Sequence, residues 1–166
     1  RASSPGGVIP KPPNRAGLRP VSVPNFDAME TSVASQLRAS YSSLAARIDG
    51  GSATVELGTA YGELGRLLMA ASFLDAAEAC YLNAQTLAPA DSRWPYYLGH
   101  LYKAKGPLAQ SIASFERALQ LRPNDGATLV WLGDAHLVEG NADPADPLFN
   151  QALSLEPSSA AAHFGA

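Results

Sequence analysis

Apolar residues recur along the chain at two spacings, one short and one long. Over residues 26–50 they follow each other at steps of three or four, the period of a helix with one apolar face. This stripe consists of Phe26, Met29, Val33, Leu37, Tyr41, Leu44 and Ile48. Asn25 or Asp27 can cap the start of such a helix, and Gly50-Gly51 can end it. The pattern predicts an amphipathic capping helix that packs against a single neighbour.

The long spacing is a register of 34 residues. The pair Leu64-Gly65 returns at this offset as Leu98-Gly99 and again as Leu132-Gly133. The same offset relates Tyr81, Phe115 and Phe149; Ala84, Ala118 and Ala152; Leu87, Leu121 and Leu155; and Pro89, Pro123 and Pro157. Each unit reads as two short amphipathic helices with a polar break between them and a proline after the second. Such repetition predicts an all-α solenoid of helical hairpins.

Each recurring position has a packing role. Glycine allows the second helix of a hairpin to approach the first, and a small residue, Ala77, Ser111 or Ala145, does so from the other side. We expect the aromatic residue one turn later to fill the gap between successive hairpins. In the third unit Pro144 and Pro147 fall at the start of the second helix. That helix is expected to begin late or with a distorted first turn.

These registers resemble the tetratricopeptide repeat (TPR) family, and bacterial proteins of that family in particular. The matching positions are Tyr61, Leu64, Gly65, Leu68, Ala77, Tyr81, Ala84 and Pro89; then Leu98, Gly99, Tyr102, Ser111, Phe115, Ala118 and Pro123; then Leu129, Leu132, Gly133, His136, Ala145, Phe149, Ala152 and Pro157. In the second unit Pro95 replaces the usual aromatic residue, and Trp94 stands one place early. The resemblance covers roughly residues 54–166. It implies a right-handed solenoid of about three units, 58–91, 92–125 and 126–159, with a partial fourth, 160–166.

The resemblance also implies which side chains line a concave groove, because the first helix of each TPR unit faces it. The implied groove residues are Glu63, Arg66, Arg93, Tyr96, Tyr97, His100, Lys103, Val130, Trp131, Asp134, Leu137 and Phe164. The two tyrosines and the tryptophan are rigid groups of the kind found in binding hot spots. Together with the three basic residues they predict an aromatic, locally basic groove for a peptide with aromatic or proline character and some acid. Packing between repeats is the alternative role of these aromatic residues.

One specialised TPR function is not expected. The TPR domains that bind chaperone tails use Lys and Asn at particular groove positions to hold a terminal carboxylate. The resemblance places Gly62, Arg66 and Tyr97 at those positions.

Residues 1–25 form a different kind of segment. Six prolines, at positions 5, 10, 12, 13, 20 and 24, exclude both a helix and a central strand. The composition is that of an extended arm, which serves either as a linker or as a strand of chain lying along another surface. The predicted domains are therefore the arm 1–25, the capping helix 26–50 and the TPR solenoid 54–166.

Composition excludes several classes of function. The 12 Lys and Arg residues against 15 Asp and Glu give a net charge of -3, so no global attraction to nucleic acid or anionic membrane exists. No apolar run reaches the roughly 18 residues of a membrane span. Cys80 is the only cysteine, and His100, His136 and His163 lie on separate units without ligand spacing. With no phosphate loop or nucleophile elbow, the sequence predicts no enzyme, no cofactor and no metal.

Two functions of different class fit this pattern. The first is a protein–protein interaction scaffold that holds a partner through the groove or the proline-rich arm, with the partner ordering residues 1–25. The second is self-assembly, in which the arm or the incomplete fourth unit of one copy docks on another copy and builds a head-to-tail oligomer. The first residue is Arg1, not Met. This, with a loose resemblance to exported bacterial repeat proteins, favours a periplasmic or extracellular location.

Overall fold

The structure is a computed structural model that describes residues 15–165. Within this range the chain forms eight α-helices and no strand, as the sequence predicts. The helices are α1 (Thr31–Asp49), α2 (Thr54–Ala70), α3 (Leu74–Leu87), α4 (Arg93–Lys105), α5 (Leu108–Leu121), α6 (Gly126–Glu139), α7 (Ala145–Leu155) and α8 (Ala160–Gly165). The chain divides into two compact units, with unit 1 ending at Leu87 and unit 2 beginning at Ala88. The finer division into domains at residues 25, 50 and 54 stays a prediction.

In unit 1, α2 and α3 form a hairpin and α1 packs against α2. The hairpin closes where the repeat pattern predicts close packing: a Cβ atom added to Gly65 would lie 2.9 Å from the ring of Tyr81. Ala77 and Cys80 are fully buried on the same face of α3. Small residues therefore bring the two helices together, and Tyr81 fills the space over the glycine.

Helix α1 differs from its prediction at its start. It begins at Thr31, and its N-cap is Glu30, whose carboxylate accepts a hydrogen bond from the Ser32 amide at 3.1 Å. The expected caps were wrong, because Asn25 Oδ1 instead accepts from the Asp27 amide at 2.8 Å in a turn that precedes the helix. That turn directs Phe26 into the core. The predicted end is confirmed, since Gly50 caps α1 and is followed by Gly51 at φ 67°.

The described part of the arm, residues 15–25, is docked on unit 1 of its own chain together with Phe26. Residues 15–26 contain no helix, and the side chains of Val21 and Phe26 are buried. Asn83 of α3 holds the backbone of Arg19, and Tyr41 of α1 donates a hydrogen bond to the Ser22 carbonyl. The expectation that a foreign partner orders residues 1–25 stays a prediction. Residues 1–14 of the predicted arm lie outside the described residues.

Unit 2 contains two hairpins, α4–α5 and α6–α7, and the short α8 packs on the second. A Cβ atom on Gly99 would lie 2.6 Å from Phe115, and one on Gly133 would lie 2.7 Å from Phe149. Phe115 also clusters with Leu132 of the following hairpin. The aromatic residue therefore packs over the glycine of its own hairpin as well as against the next one, a role wider than the sequence suggested.

The late start expected for the second helix of the third repeat, residues 126–159, is confirmed. By the 34-residue register with α5, α7 would begin at residue 142, but it begins at Ala145, with Pro144 as its N-cap. Pro147 then falls in the first turn, where a backbone N–H has no acceptor inside the helix. The result is a helix of 11 residues where α5 has 14.

Candidate peptide-binding site

The largest group of predicted groove residues meets on one face of unit 2, where α4 lies beside α6. Tyr96 and His100 stand one turn apart on α4, with ring centroids 4.6 Å apart and an interplanar angle of 77°. Trp131 of α6 also contacts His100, with centroids 4.7 Å apart at 76°. Edge-to-face contacts of this kind fix ring orientation and stabilise beyond the burial of area. We call Tyr96, His100 and Trp131 the aromatic row.

The aromatic row rests on the recurring glycine–aromatic pair of the repeat pattern, in which Gly99 leaves room for Phe115. The Phe115 ring lies 5.1 Å from His100 at 89° and 6.0 Å from Tyr96 at 65°. Phe115 is fully buried, whereas Trp131 is 37% exposed. The repeat architecture therefore supplies a rigid floor, and the row presents one large aromatic side chain to solvent.

Burial sets the protonation of the row. It lowers the pKa of His100 to about 4, and the nearby Lys103 ammonium adds to this effect. His100 is therefore a neutral imidazole at neutral pH, compatible with its contacts to three rings. Burial also raises the pKa of Tyr96, with smaller contributions from Asp125 and Tyr97, while a hydrogen bond with Trp131 opposes the rise. The row carries no charge of its own near pH 7.

The basic residues expected in the groove are paired with acids. Lys103 forms an ion pair with Asp134, and its Nζ lies 4.7 Å from the centroid of the Trp131 ring. The expectation of a locally basic groove was therefore wrong for these side chains. The other two pairs are Arg93 with Asp91 at 2.7 Å and, in unit 1, Arg66 with Glu63 at 2.8 Å. The sequence pattern did not reveal the neutralisation of Lys103, because its partner is 31 positions away.

A cleft of about 600 Å³ opens beside the aromatic row, between α6, α7 and α8. Its walls combine apolar side chains with two carboxylates, and the described lining residues include no Lys or Arg. The lining residues with the largest side chains are Val130, Trp131, Asp134, Leu137, Phe149 and Glu156. Trp131 and Leu137 are 37% and 40% exposed. Asp134 is paired with Lys103, so the cleft is apolar with the Glu156 carboxylate at its edge, which suits an apolar segment carrying a positive charge.

The structure separates the remaining predicted groove residues from this site. Tyr97 contacts Tyr96, with centroids 5.6 Å apart, and with Arg93 it borders a smaller cleft of about 210 Å³ at the start of α4. Glu63 borders a cleft of about 440 Å³ between α1 and α2 of unit 1. The side chain of Phe164 lies outside the described residues. Val130, Asp134 and Leu137 line the large cleft, and their role in a concave groove stays a prediction.

Two contributors to the site were missed at the sequence level. Phe149 and Glu156 lie on or directly after α7, a second helix, whereas the groove was expected to use first helices only. Phe149 is buried and contributes to the inner wall of the cleft, whereas Glu156 is exposed at its edge. Glu156 directly precedes Pro157 of the repeat register. This position at the turn after a second helix is the sequence signal that could have indicated Glu156 as a site residue.

Other kinds of site are not found in residues 15–165. No three His, Cys, Asp or Glu side chains of this range come together in a way that could hold a metal ion. No helix in it has both the length and the apolar character needed to cross a membrane. Cys80, the only cysteine, is buried, and burial raises the pKa of its thiol. A protonated, enclosed thiol is a core residue and a poor nucleophile.

Comparison with known proteins agrees with this architecture. Residues 96–125 match the family model of the tetratricopeptide repeat. Among solved structures, the first TPR domain of Spaghetti (RPAP3) bound to the HSP90 peptide SRMEEVD has a TM-score of 0.64 and 18% identity, covering 66% of this chain and 87% of that one. The Arabidopsis OM64 TPR domain has a TM-score of 0.64 and 18% identity, covering 68% and 93%. No curated protein matches the chain by sequence.

The chain therefore has the fold of TPR domains, a helical-hairpin repeat. Its second hairpin, α4–α5, carries the sequence signal of the TPR family. Domains with this fold generally mediate protein–protein interactions and are typically not catalytic.

Proposed function

We propose that unit 2 binds an extended peptide segment of a partner protein along the aromatic row and into the adjacent cleft. The observation that carries the proposal is the position of Trp131. It is 37% exposed, yet His100 and Lys103 hold its ring in place, and its outer side borders the cleft. A preorganised aromatic side chain beside an apolar depression loses little entropy when a ligand covers it.

The charges of the site define the chemistry of the proposed ligand. An apolar or proline side chain of the ligand packs on Trp131, Val130 and Leu137, because proline-rich segments favour grooves lined by aromatic residues. A Lys or Arg of the ligand approaches Glu156 at the cleft edge, because Asp134 is already paired with Lys103. The proposed ligand is therefore basic. The sequence alone predicts a ligand with some acid, because it does not reveal that the basic groove residues are paired with acids.

The ligand of the similar Spaghetti domain is therefore not proposed for this chain. Its peptide, SRMEEVD, carries three carboxylate side chains, and such a ligand needs available cations. Arg66 stands at one of the positions that hold a terminal carboxylate in chaperone-binding TPR domains, and here it is paired with Glu63. Gly62 and Tyr97 at the other positions provide no cation.

Peptide selection tests this proposal directly, because it requires no identified partner. A library of random 12-residue peptides displayed on phage is panned against the full chain, and enriched peptides are then measured as synthetic, labelled peptides. We expect enrichment of sequences with proline or an aromatic residue near a Lys or Arg. The Trp131→Ala variant should bind them at least tenfold more weakly, since interface tryptophans are frequent hot spots.

The matched control is Val138→Ala, a substitution of another exposed apolar residue on α6 that does not line the cleft. It should leave peptide affinity unchanged. Equal binding of the enriched peptides to the wild type and to a folded Tyr97→Ala plus Trp131→Ala variant would remove the basis of the proposal, as would the absence of enrichment.

Self-association of the chain is the second candidate function. The observation in its favour is that the last complete hairpin keeps Val138 and Leu155 56% and 44% exposed. Exposed apolar surface of this kind can meet a different surface on another copy, and such contacts propagate unless they close into a ring. Light scattering with size-exclusion chromatography tests it: mass should rise with concentration, and Val138→Glu plus Leu155→Glu should abolish the rise. A constant monomer mass would count against it.

A further inference from the structure

Unit 1 holds residues 15–26, which we call the strap, with contacts characteristic of a peptide ligand. The first contact is Asn83 on α3. Its Oδ1 accepts a hydrogen bond from the Arg19 amide at 2.8 Å, and its Nδ2 donates to the Arg19 carbonyl at 2.9 Å. Both bonds go to the backbone, while residue Arg19 itself is exposed. Asn83 therefore recognises an extended backbone and leaves the side chain at that position free to vary.

Interactions within α3 alone do not explain why Asn83 is an asparagine. It lies inside α3 and is 1% exposed. Asparagine is a poor helix former, and burying its amide without partners costs about 1–3 kcal/mol. Its two polar groups are satisfied by a residue 64 positions away. The amide is thus stabilised only when an extended segment occupies this site.

Two further anchors lie along the strap. Val21 is buried two residues after Arg19 and gives the strap an apolar anchor in the core of unit 1. Tyr41 Oη donates to the Ser22 carbonyl at 2.6 Å, again a backbone contact. Residues Pro20 and Pro24 lack an N–H and restrict the segment to extended conformations, which lowers the entropy lost on binding.

The strap ends in an aromatic anchor. The Phe26 ring lies 6.1 Å from the rings of Tyr41 and Phe73, and the Arg38 guanidinium stands 5.5 Å from its centroid. A turn follows, closed by a hydrogen bond from the Met29 amide to the Phe26 carbonyl at 3.1 Å, and α1 begins at Thr31. The strap is therefore joined to its own receptor by only a few residues.

From these contacts we propose that α1 and α3 form a peptide-binding site for the strap and that the strap of a second copy can occupy it. Every copy of the chain carries both the site and its matching ligand, so complementarity between copies is assured. The proposal does not depend on the aromatic row of unit 2. It is a different route to self-association from the exposed Val138 and Leu155, because it uses the arm and a specific receptor for it.

The short connection determines which form dominates. A ligand tethered by a few residues has an effective concentration of the order of millimolar, so the intact chain closes on its own strap at micromolar concentration. Binding between copies becomes favourable when one copy keeps its site but has a disabled strap and the other keeps its strap but has a disabled site. The intact strap then binds the intact site of the other copy. Two variants of the full chain create this situation.

The test uses Val21→Asp, which disables the strap and keeps the site, and Asn83→Ala plus Tyr41→Phe, which weakens the site and keeps the strap. A labelled synthetic peptide of residues 15–28 should bind Val21→Asp at least tenfold more tightly than the wild type. Adding Asn83→Ala to Val21→Asp should reduce that affinity at least tenfold. Mixing the two variants should produce a 1:1 complex by light scattering, whereas each alone stays monomeric.

Ala16→Asp is the matched control, because it places the same charge on the strap at an exposed residue that makes none of the contacts described above. It should bind the peptide as weakly as the wild type. Circular dichroism verifies the fold of each variant, and Val21→Ser replaces Val21→Asp if the latter unfolds. A folded Val21 variant that neither binds the peptide nor pairs with the site variant overturns the proposal. Oligomers that persist in both variants but vanish with Val138→Glu plus Leu155→Glu would assign self-association to the last hairpin and likewise overturn strap exchange.

Discussion

The ring of Phe115 lies directly over Gly99, so close that a Cβ atom at Gly99 would stand 2.6 Å from it. This relationship joins the two helices of the α4–α5 hairpin. It also supports the aromatic row, because the same ring contacts His100 at 5.1 Å. The packing unit of the repeat and the floor of the candidate site are therefore one structure.

Substituting Gly99→Ala should lower the free energy of unfolding by about 1–3 kcal/mol, the usual cost of overpacking a core. The added methyl group must displace Phe115, which is fully buried and has no room to move. Urea unfolding followed by circular dichroism measures the change. Gly126→Ala is the control, since nothing lies within 4 Å of its Cβ position at the start of α6, and it should be neutral or slightly stabilising. Equal effects of both substitutions would contradict the steric argument.

The pH dependence of stability should report on His100. Its pKa is lowered to about 4 in the folded chain, mainly by burial, from an ordinary value of 6.5. The unfolded chain therefore binds more protons between these two values, so stability is complete above about pH 6.5 and falls as the pH drops towards 4. His100→Phe should flatten this part of the stability profile. NMR titration of the imidazole measures the pKa directly. A His100 pKa at or above 6.5 would refute the prediction.

Substituting Asn83→Ala should cost about 1–3 kcal/mol of stability, because two hydrogen bonds to Arg19 are lost and each contributes about 0.5–1.5 kcal/mol. In NMR measurements the Arg19 amide should lose nearly all its protection from hydrogen exchange, whereas amides in the centre of α2 should change only as much as the global free energy of unfolding does. Gln85→Ala, a half-buried substitution on the same helix, should leave Arg19 exchange unchanged. Unaltered exchange in the Asn83 variant would show that the strap is held by other contacts.

Cys80 should be unreactive towards a thiol reagent in the native chain at pH 8. Its side chain is fully buried and burial raises the pKa of the thiol, so neither access nor the thiolate form is available. Because it is the only cysteine, modification reports on one position without correction. The rate should rise in urea in parallel with global unfolding. Rapid modification in native buffer would show that α3 opens locally.

The helical hairpins could be predicted from sequence because their determinants are local and repeated. Gly65, Gly99 and Gly133 recur at a fixed offset from an aromatic residue, and each glycine accepts that ring. The aromatic row was predictable for a related reason, since Tyr96 and His100 share one helix face and Trp131 follows from the repeat register. Even the late start of α7 could be inferred from its prolines.

The charge of the site and the position of the arm could not be predicted in this way. Lys103 and Asp134 are 31 positions apart, and Arg19 and Asn83 are 64 apart. Pairs this far apart produce no periodic pattern in the sequence. A lysine at a groove position is therefore taken for an available cation until the structure shows the acid beside it. The sequence by itself determined the repeat, the close glycine packing and the aromatic face, because short-range sterics decide them. Only the tertiary structure decided which charges are neutralised and where the strap lies, because those depend on side chains that folding alone brings together.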